Sequence, residues 1–248
     1  MAVYKSKGIV LGSIRYGEAD RILDLYTQDT GLISAIAKGI RRTTSRFGGR
    51  LEPLSCVNFL AYEGRTLDTI TQVEVLRSFH SVRESLTRLQ TAGGMVAMVR
   101  ALSGGGEADR RVFNLIYHAL DALEAREENV KSVEAAFSLK LSVLTGYTPR
   151  LDFCVSCERE PDEGQLYFAP PLGGVLCADC RTATEDAFPL LPKTLAALHS
   201  LVTRPIKEAT VEKEFEESVR RVAYSHVIAH APGDTVLPIP AQRTLHQA

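Results

Sequence analysis

The first 80 residues alternate short apolar runs with turn residues, a pattern typical of β-strands. Five runs are rich in β-branched and aromatic residues: 9–11, 22–26, 32–36, 57–62 and 69–75. The turn Asp29-Thr30-Gly31 predicts a hairpin, because glycine supplies the positive φ that such a turn needs. No helix-length periodic segment begins before residue 81. Five short strands favour a small barrel, although a two-sheet sandwich would satisfy the same strand number.

The middle of the chain changes to a helical period. Apolar side chains recur at helical spacing over residues 86–102, 112–123 and 133–144, and Gly146 and Pro149 follow the third stripe. Further helical segments are predicted near 192–202 and over 211–231. The Pro-rich stretch 232–248 lacks periodicity, and we expect a mobile tail there. The fold class is therefore α+β and multidomain: a β domain (1–80), helices (81–150), an insert (151–181), helices continued (182–231) and the tail.

Composition narrows the class of protein. The chain has 248 residues, 45% of them hydrophobic and 24% charged, as in an ordinary globular protein. No apolar run approaches the roughly 20 residues of a membrane-spanning helix. The N-terminus carries lysines without the apolar core of a secretion signal, so we expect a cytoplasmic protein that does not engage membranes.

The insert contains two Cys-x-x-Cys pairs, which is the spacing of a four-cysteine zinc site. Cys154 and Cys157 form the first pair, and Cys177 and Cys180 follow after 19 residues. Each pair presents two sulfurs to one ion, and two pairs complete a tetrahedron. We expect one structural zinc per chain, since four thiolates leave no open position for catalysis. Metal-free reduced thiols are the alternative. The insert is acidic, and we expect it to repel phosphate.

A basic segment lies inside the predicted β domain. From Thr30 to Leu51 there is no acidic residue and there are five basic ones: Lys38, Arg41, Arg42, Arg46 and Arg50. A solvated surface loop is the simplest interpretation of one charge run. Three features favour nucleic-acid binding instead: the loop joins barrel strands, it carries hydroxyl groups that can contact phosphate, and Phe47, Tyr26 and Tyr62 offer rings for stacking on bases.

Other residues that could carry chemistry have simpler interpretations. Cys56 is alone beside a strand, as a buried apolar thiol would be. His226 and His230 lie four apart on a helix without the glutamate of a zinc protease. Arg220 and Arg221 lie on a helix rich in acid, where pairing with neighbouring carboxylates is expected and contact with DNA or a partner is the alternative. We find no catalytic constellation.

Several blocks together resemble the bacterial RecO recombination-mediator proteins. They are Gly8-Ile9-Val10-Leu11, Tyr16-Gly17-Glu18-Ala19-Asp20-Arg21-Ile22, Thr27-Gln28-Asp29-Thr30-Gly31-Leu32, Ala37-Lys38-Gly39-Ile40-Arg41-Arg42, Leu51-Glu52-Pro53-Leu54 and Leu144-Thr145-Gly146-Tyr147-Thr148-Pro149. The likeness extends to about residue 181, and the four cysteines match the zinc-bearing members.

The resemblance implies an oligonucleotide-binding (OB) fold over 1–80, followed by a helical domain that carries the zinc ribbon. It implies a non-enzymatic protein that binds single- and double-stranded DNA, anneals strands and, with RecR, loads recombinase onto DNA coated by single-strand-binding protein. Lys38, Arg41 and Arg42 match the family's basic stretch. Arg46 and Arg50 extend it by charge and spacing, and Phe47 joins the expected DNA-binding set as a stacking ring. Two alternatives stay open: an adaptor whose basic loop binds an acidic protein, and a nucleic-acid-processing enzyme with an unrecognised site.

Overall fold

The computed structural model describes residues 2–103, 108–125, 128–160 and 164–231. The predicted tail 232–248 and most of the glycine-rich break at 103–106 lie outside these residues. No helix among the described residues has the length and apolar character needed to cross a bilayer.

Five strands form the N-terminal part, as the apolar runs predict. They are β1 (Val3–Tyr16), β2 (Asp20–Thr27), β3 (Gly31–Ala37), β4 (Cys56–Tyr62) and β5 (Asp68–Arg77). Gly31 has a φ of 70° in the turn between β2 and β3, so the predicted hairpin is confirmed.

The five strands close into a barrel in the order β1-β2-β3-β5-β4, which excludes the sandwich. The long strand β1 pairs with β4 through its first half and with β2 through its second half, with an irregularity in register near Val10. Closure comes from a short parallel pairing of β3 with β5, in which Ala35 lies opposite Asp68. A five-stranded barrel closed in this way is OB-like.

Six α-helices follow in the described residues: α1 (His80–Glu84), α2 (Leu86–Ser103), α3 (Arg110–Ala125), α4 (Val130–Leu144), α5 (Pro192–Thr203) and α6 (Glu216–His230). The three predicted stripes correspond to α2, α3 and α4. The helix predicted over 211–231 begins only at Glu216, because a turn closed by a hydrogen bond from the Phe215 amide to the Glu212 carbonyl precedes it. Helix α4 is central and contacts α2, α3, α5 and α6.

Between α4 and α5 lies a small three-stranded sheet made of β6 (Leu166–Ala169), β7 (Gly174–Leu176) and β8 (Phe188–Leu190), in the order β7-β6-β8. Strand β8 lies beyond residue 181, where the sequence pattern ended the insert. Its three residues include Pro189 and are too short to show alternation. Gly174 must be glycine here, because a Cβ at this position would lie 2.4 Å from the carbonyl oxygen of Arg150.

Two cores meet at the barrel wall. Leu23, Leu25 and Phe59 fill the barrel interior. Ile9 and Cys56 point outward and join the helical core. Burial raises the pKa of the Cys56 thiol to about 11, so this cysteine is the inert apolar residue that the sequence indicates.

Candidate nucleic-acid interface and metal centre

The basic segment, defined as residues 38–50, connects β3 to β4 across one end of the barrel. It leaves β3 through a turn and ends in a short 3₁₀ helix over Gly48–Leu51. Phe47 and Leu51 are both about 1% exposed and pack into the barrel core, so they anchor the segment over that end. The anchored segment is therefore a fixed part of the barrel surface.

A second set of contacts ties the basic segment to the β1–β2 turn. The Arg41 backbone amide donates a hydrogen bond to the Ala19 carbonyl oxygen at 2.9 Å, and the Gly39 amide donates to the Asp20 carboxylate at 2.7 Å. The Arg41 guanidinium donates to the Glu18 carbonyl oxygen at 2.9 Å. This clamp, formed by Gly39 and Arg41 with residues 18–20, joins two connections at the same end of the barrel.

All five cations of the segment are exposed. In the described part of the chain, none of them lies within 4 Å of a carboxylate oxygen. Arg50 donates to the carbonyl oxygen of Arg46 at 2.7 Å, and the Arg46 guanidinium lies 5.1 Å from the centre of the Phe47 ring. Carbonyl and ring contacts leave the positive charges uncompensated, so the surface attracts anions.

Of the three aromatic side chains that were expected to stack on bases, two are buried and one is exposed. Phe47 and Tyr26 are buried, with 1% and 2% exposure, so neither ring can stack on a base in this structure. Phe47 is an anchor of the barrel core, and Tyr26 faces the helices and reaches the Asp109 carbonyl oxygen. Tyr62 is exposed, as a stacking residue must be.

Sequence reasoning missed Tyr16, a residue that is 53% exposed at the end of β1 beside the clamp. Alternation along β1 could have placed it, because Tyr16 shares the outward face with the exposed Ile14. Tyr16 and Tyr62 are the tyrosines on the barrel that can offer a ring to a ligand.

The four cysteines of the insert come together as predicted. Their sulfur atoms all lie within 4.8 Å of one another, and Cys157 Sγ is 3.8 Å from Cys177 Sγ. None of the cysteines is in a disulfide. Tetrahedral coordination with metal–sulfur bonds of about 2.3 Å places sulfurs about 3.8 Å apart, so the cluster fits a tetrahedral ion.

The backbone around each pair holds this geometry. The Glu158 amide donates to the Cys154 carbonyl oxygen at 2.9 Å, and the Cys180 amide donates to the Cys177 carbonyl oxygen at 3.1 Å, so each pair is one tight turn. Arg159 hydrogen-bonds the Cys157 sulfur through its backbone amide and then its guanidinium, which lowers the pKa of that thiol to about 6. A thiol ionised near neutral pH is ready to ligate a metal.

Two other pairs of residues have structural partners. The Arg220 guanidinium forms ion pairs with Glu134 at 3.0 Å and with Glu217 at 3.1 Å, so the expected intrahelical pairing is present and a contact from α4 is added. Arg221 stacks on Phe188, 4.0 Å from the ring centre. His226 Nε2 donates to the Tyr147 carbonyl oxygen at 2.7 Å, and His230 Nδ1 donates to the His226 carbonyl oxygen at 2.8 Å.

Comparison with known proteins agrees with this architecture. Residues 1–79 match the sequence model described as "Recombination protein O N terminal", and residues 83–230 match "Recombination protein O C terminal". The chain belongs to the RecO family. It is 61% identical to the DNA repair protein RecO of Rubrobacter xylanophilus over 243 residues, which cover 97% of each chain.

More distant RecO proteins match with similar coverage. The DNA repair protein RecO of Alkaliphilus metalliredigens is 30% identical over 91% of this chain and 93% of its own length. That of Nocardioides sp. is 38% identical over 81% of this chain and 82% of its own. The resemblance found in the sequence blocks is therefore confirmed.

Proposed function

We propose that this chain is a non-enzymatic DNA-binding and strand-annealing protein of recombinational DNA repair. The observation that carries the proposal is the basic segment: five exposed cations without carboxylate partners in the described part of the chain, anchored over one end of an OB-like barrel. Membership of a family whose relatives carry the name DNA repair protein supports the same role.

Annealing follows from charge. Two complementary strands repel each other through their phosphates, and a cationic surface that screens both strands lowers the barrier to their encounter. Such a surface contacts the backbone and needs no base readout, so it serves single and double strands of any sequence. Tyr16 and Tyr62 would add stacking on unpaired bases, which the buried ring of Phe47 cannot do.

The metal centre has a structural role in this proposal, with one zinc bound by Cys154, Cys157, Cys177 and Cys180. Zinc is the ion that four closely spaced thiolates favour, and its binding would supply folding free energy to a ribbon with a small apolar core. The ribbon surface carries Glu158 and Asp179, and the latter already pairs with Arg159 at 3.0 Å. Its charge therefore does not favour phosphate.

In the cell this protein would act in the cytoplasm, on the nucleoid when bound to DNA. With RecR it would load recombinase onto DNA coated by single-strand-binding protein. These partners rest on the family resemblance.

The test is a salt titration of DNA binding by fluorescence anisotropy, with mixed-sequence single- and double-stranded oligonucleotides. Lys38, Arg41 and Arg42 are together changed to Glu. The control changes Arg204, Lys207 and Lys213 to Glu, since these exposed cations lie in the connection between α5 and α6 and alter net charge equally.

We expect the barrel variant to lose affinity for every sequence. On single strands its log–log salt slope should flatten by about two units, since each lost phosphate contact removes roughly 0.7. The control should bind like the parent protein. Parental binding by the barrel variant at every salt concentration would refute the DNA site, and tight binding to an acidic protein instead would favour the adaptor. Annealing that requires ATP would contradict the non-enzymatic assignment.

A further inference from the structure

Two arginines lie directly opposite each other on neighbouring strands of the barrel. Arg15, near the end of β1, pairs in register with Arg21, near the start of β2, and Arg21 pairs on its other side with Ala37 of β3. Directly opposite residues of an antiparallel pair have Cβ atoms about 5 Å apart, and like charges at these positions are destabilising. The barrel therefore carries a local electrostatic cost at this end.

Carboxylates compensate this pair only weakly. Arg21 lies 3.8 Å from Glu52, with both side chains partly exposed. Exposed Arg15 has no carboxylate oxygen within 4 Å among the residues that the structure describes. An exposed ion pair at that distance contributes little. The net excess of positive charge remains available to an anionic ligand.

The strand register places the two arginines beside the basic segment. Arg21 shares its face of β2 with Leu23 and Leu25, which point into the barrel, so Arg21 sits where that interior face reaches the barrel end. Its partner Glu52 directly follows Leu51, one of the two anchors of the basic segment. Two strand spacings of about 4.8 Å each separate Arg15 from Ala37, and the next residue along the chain is Lys38.

We propose that Arg15 and Arg21 bind the phosphodiester backbone of nucleic acid and extend the surface of the basic segment across β1 and β2. This inference rests on the proposed function and adds Arg15 and Arg21 to its DNA-binding surface. The β1–β2 turn, which the clamp fixes to the basic segment, holds both sets of cations in one arrangement. A bound phosphate would relieve the repulsion between the two arginines, so binding and strand pairing would favour each other.

The decisive variant is Arg15→Glu, because it reverses the charge opposite Arg21 and creates an attractive cross-strand pair. We expect the melting temperature of the free protein to rise by roughly 1–3 °C. At the same time, affinity for a mixed-sequence single strand should fall, and the salt slope should flatten by about 0.7 or more. The control is Lys5→Glu, an exposed cation ten residues away near the start of the same strand, in the part of β1 that pairs with β4.

Each outcome decides the proposal when the Lys38, Arg41 and Arg42 reversal is measured in parallel. A stabler Arg15→Glu protein that binds DNA more weakly than Lys5→Glu supports it. If the triple reversal loses DNA while Arg15→Glu binds like the parent, the proposed function stands and the extension is overturned. Equal losses for Arg15→Glu and Lys5→Glu would reduce the effect to net charge and also overturn it. A lower melting temperature for Arg15→Glu would overturn the argument from like-charge repulsion.

Discussion

The Arg41 guanidinium donates a hydrogen bond to the Glu18 carbonyl oxygen, 2.9 Å away across the end of the barrel. One side chain thus carries a charge for binding and also holds the β1–β2 turn against the basic segment. Its neighbour Arg42 is also exposed and has no such contact with the turn in the described structure. The two arginines therefore separate the effect of charge from the effect of positioning.

Changing Arg41 or Arg42 to Gln should weaken single-strand binding to a similar degree and flatten the salt slope by about 0.7 in each case. Only Arg41→Gln should also speed hydrogen exchange of the Gly39 and Arg41 amides, because the clamp loses its side-chain bond. Anisotropy and hydrogen exchange measure the two effects. Equal exchange in both variants would show that the guanidinium bond does not hold the turn.

Phe47 should matter for stability and not for stacking. Phe47→Ala removes a buried ring and should cost about 3–5 kcal/mol of stability, measured by denaturant unfolding. Phe47→Leu keeps an apolar anchor, and the folded protein should bind DNA like the parent. A large loss of affinity in a fully folded Phe47→Leu protein would show that the ring contacts DNA.

Tyr16 should show the opposite behaviour. Tyr16→Leu should cost about 1–3 kcal/mol of single-strand affinity with little change in salt slope or melting temperature, because an exposed ring stacks on bases without contacting phosphate. Tyr16→Phe is the matched control, since it keeps the ring face and should bind like the parent. If Leu and Phe variants bind equally well, Tyr16 does not stack.

The contrast between Phe47 and Tyr16 shows what sequence reasoning could reach. All five strands, the hairpin turn at Gly31 and the stripes of α2 to α4 were predictable, because local propensity and period agree with the final fold there. The positive charge of the basic segment could also be predicted. The inward direction of Phe47 could not, because a loop residue has no strand or helix period that shows which way its side chain points.

The register of the strand pairs was the other feature that the sequence did not predict. The opposition of Arg15 and Arg21 depends on the register of β1 against β2, which a shift of one residue would abolish. The same holds for β8, whose three residues pair with β6 from outside the predicted insert. The four cysteines needed no such knowledge, because two Cys-x-x-Cys pairs at this separation are the known spacing of a four-cysteine metal site, and the folded insert brings their sulfurs within 4.8 Å of one another.

The ribbon should keep its metal down to a lower pH than one without Arg159. Protons compete with the metal for thiolates. The backbone amide of Arg159 and, after it, the guanidinium lower the pKa of Cys157 to about 6, so losing the guanidinium should raise that pKa by part of the shift. Arg159→Gln keeps the amide bond but removes the side-chain contact, and zinc release should begin at a higher pH. A chromophoric chelator reports the release.

Arg181→Gln is the control for that titration, because Arg181 lies on the same ribbon with its guanidinium 5.3 Å from the centre of the Tyr167 ring. Its release curve should match the parent's. Identical curves for Arg159→Gln and the parent would contradict the role of the guanidinium. Absence of zinc from protein purified without chelator would refute the metal assignment itself.

Arg220 should prove to be a structural residue of the helical part and not a DNA contact. Its guanidinium pairs with Glu134, and both side chains are largely buried, with 14% and 12% exposure. Arg220→Ala leaves that carboxylate without its main partner, so it should cost about 3 kcal/mol or more of stability at neutral pH, with the DNA salt slope unchanged.

Burial already raises the pKa of Glu134, and losing the arginine raises it further. A carboxyl with a raised folded-state pKa destabilises the protein only when ionised, so the deficit should shrink as the pH falls from 7 toward 5. Arg221→Ala, which removes only the stacking on Phe188, is the matched control for denaturant unfolding at both pH values. A flattened DNA salt slope in a stable Arg220→Ala protein would place this helix in the interface after all.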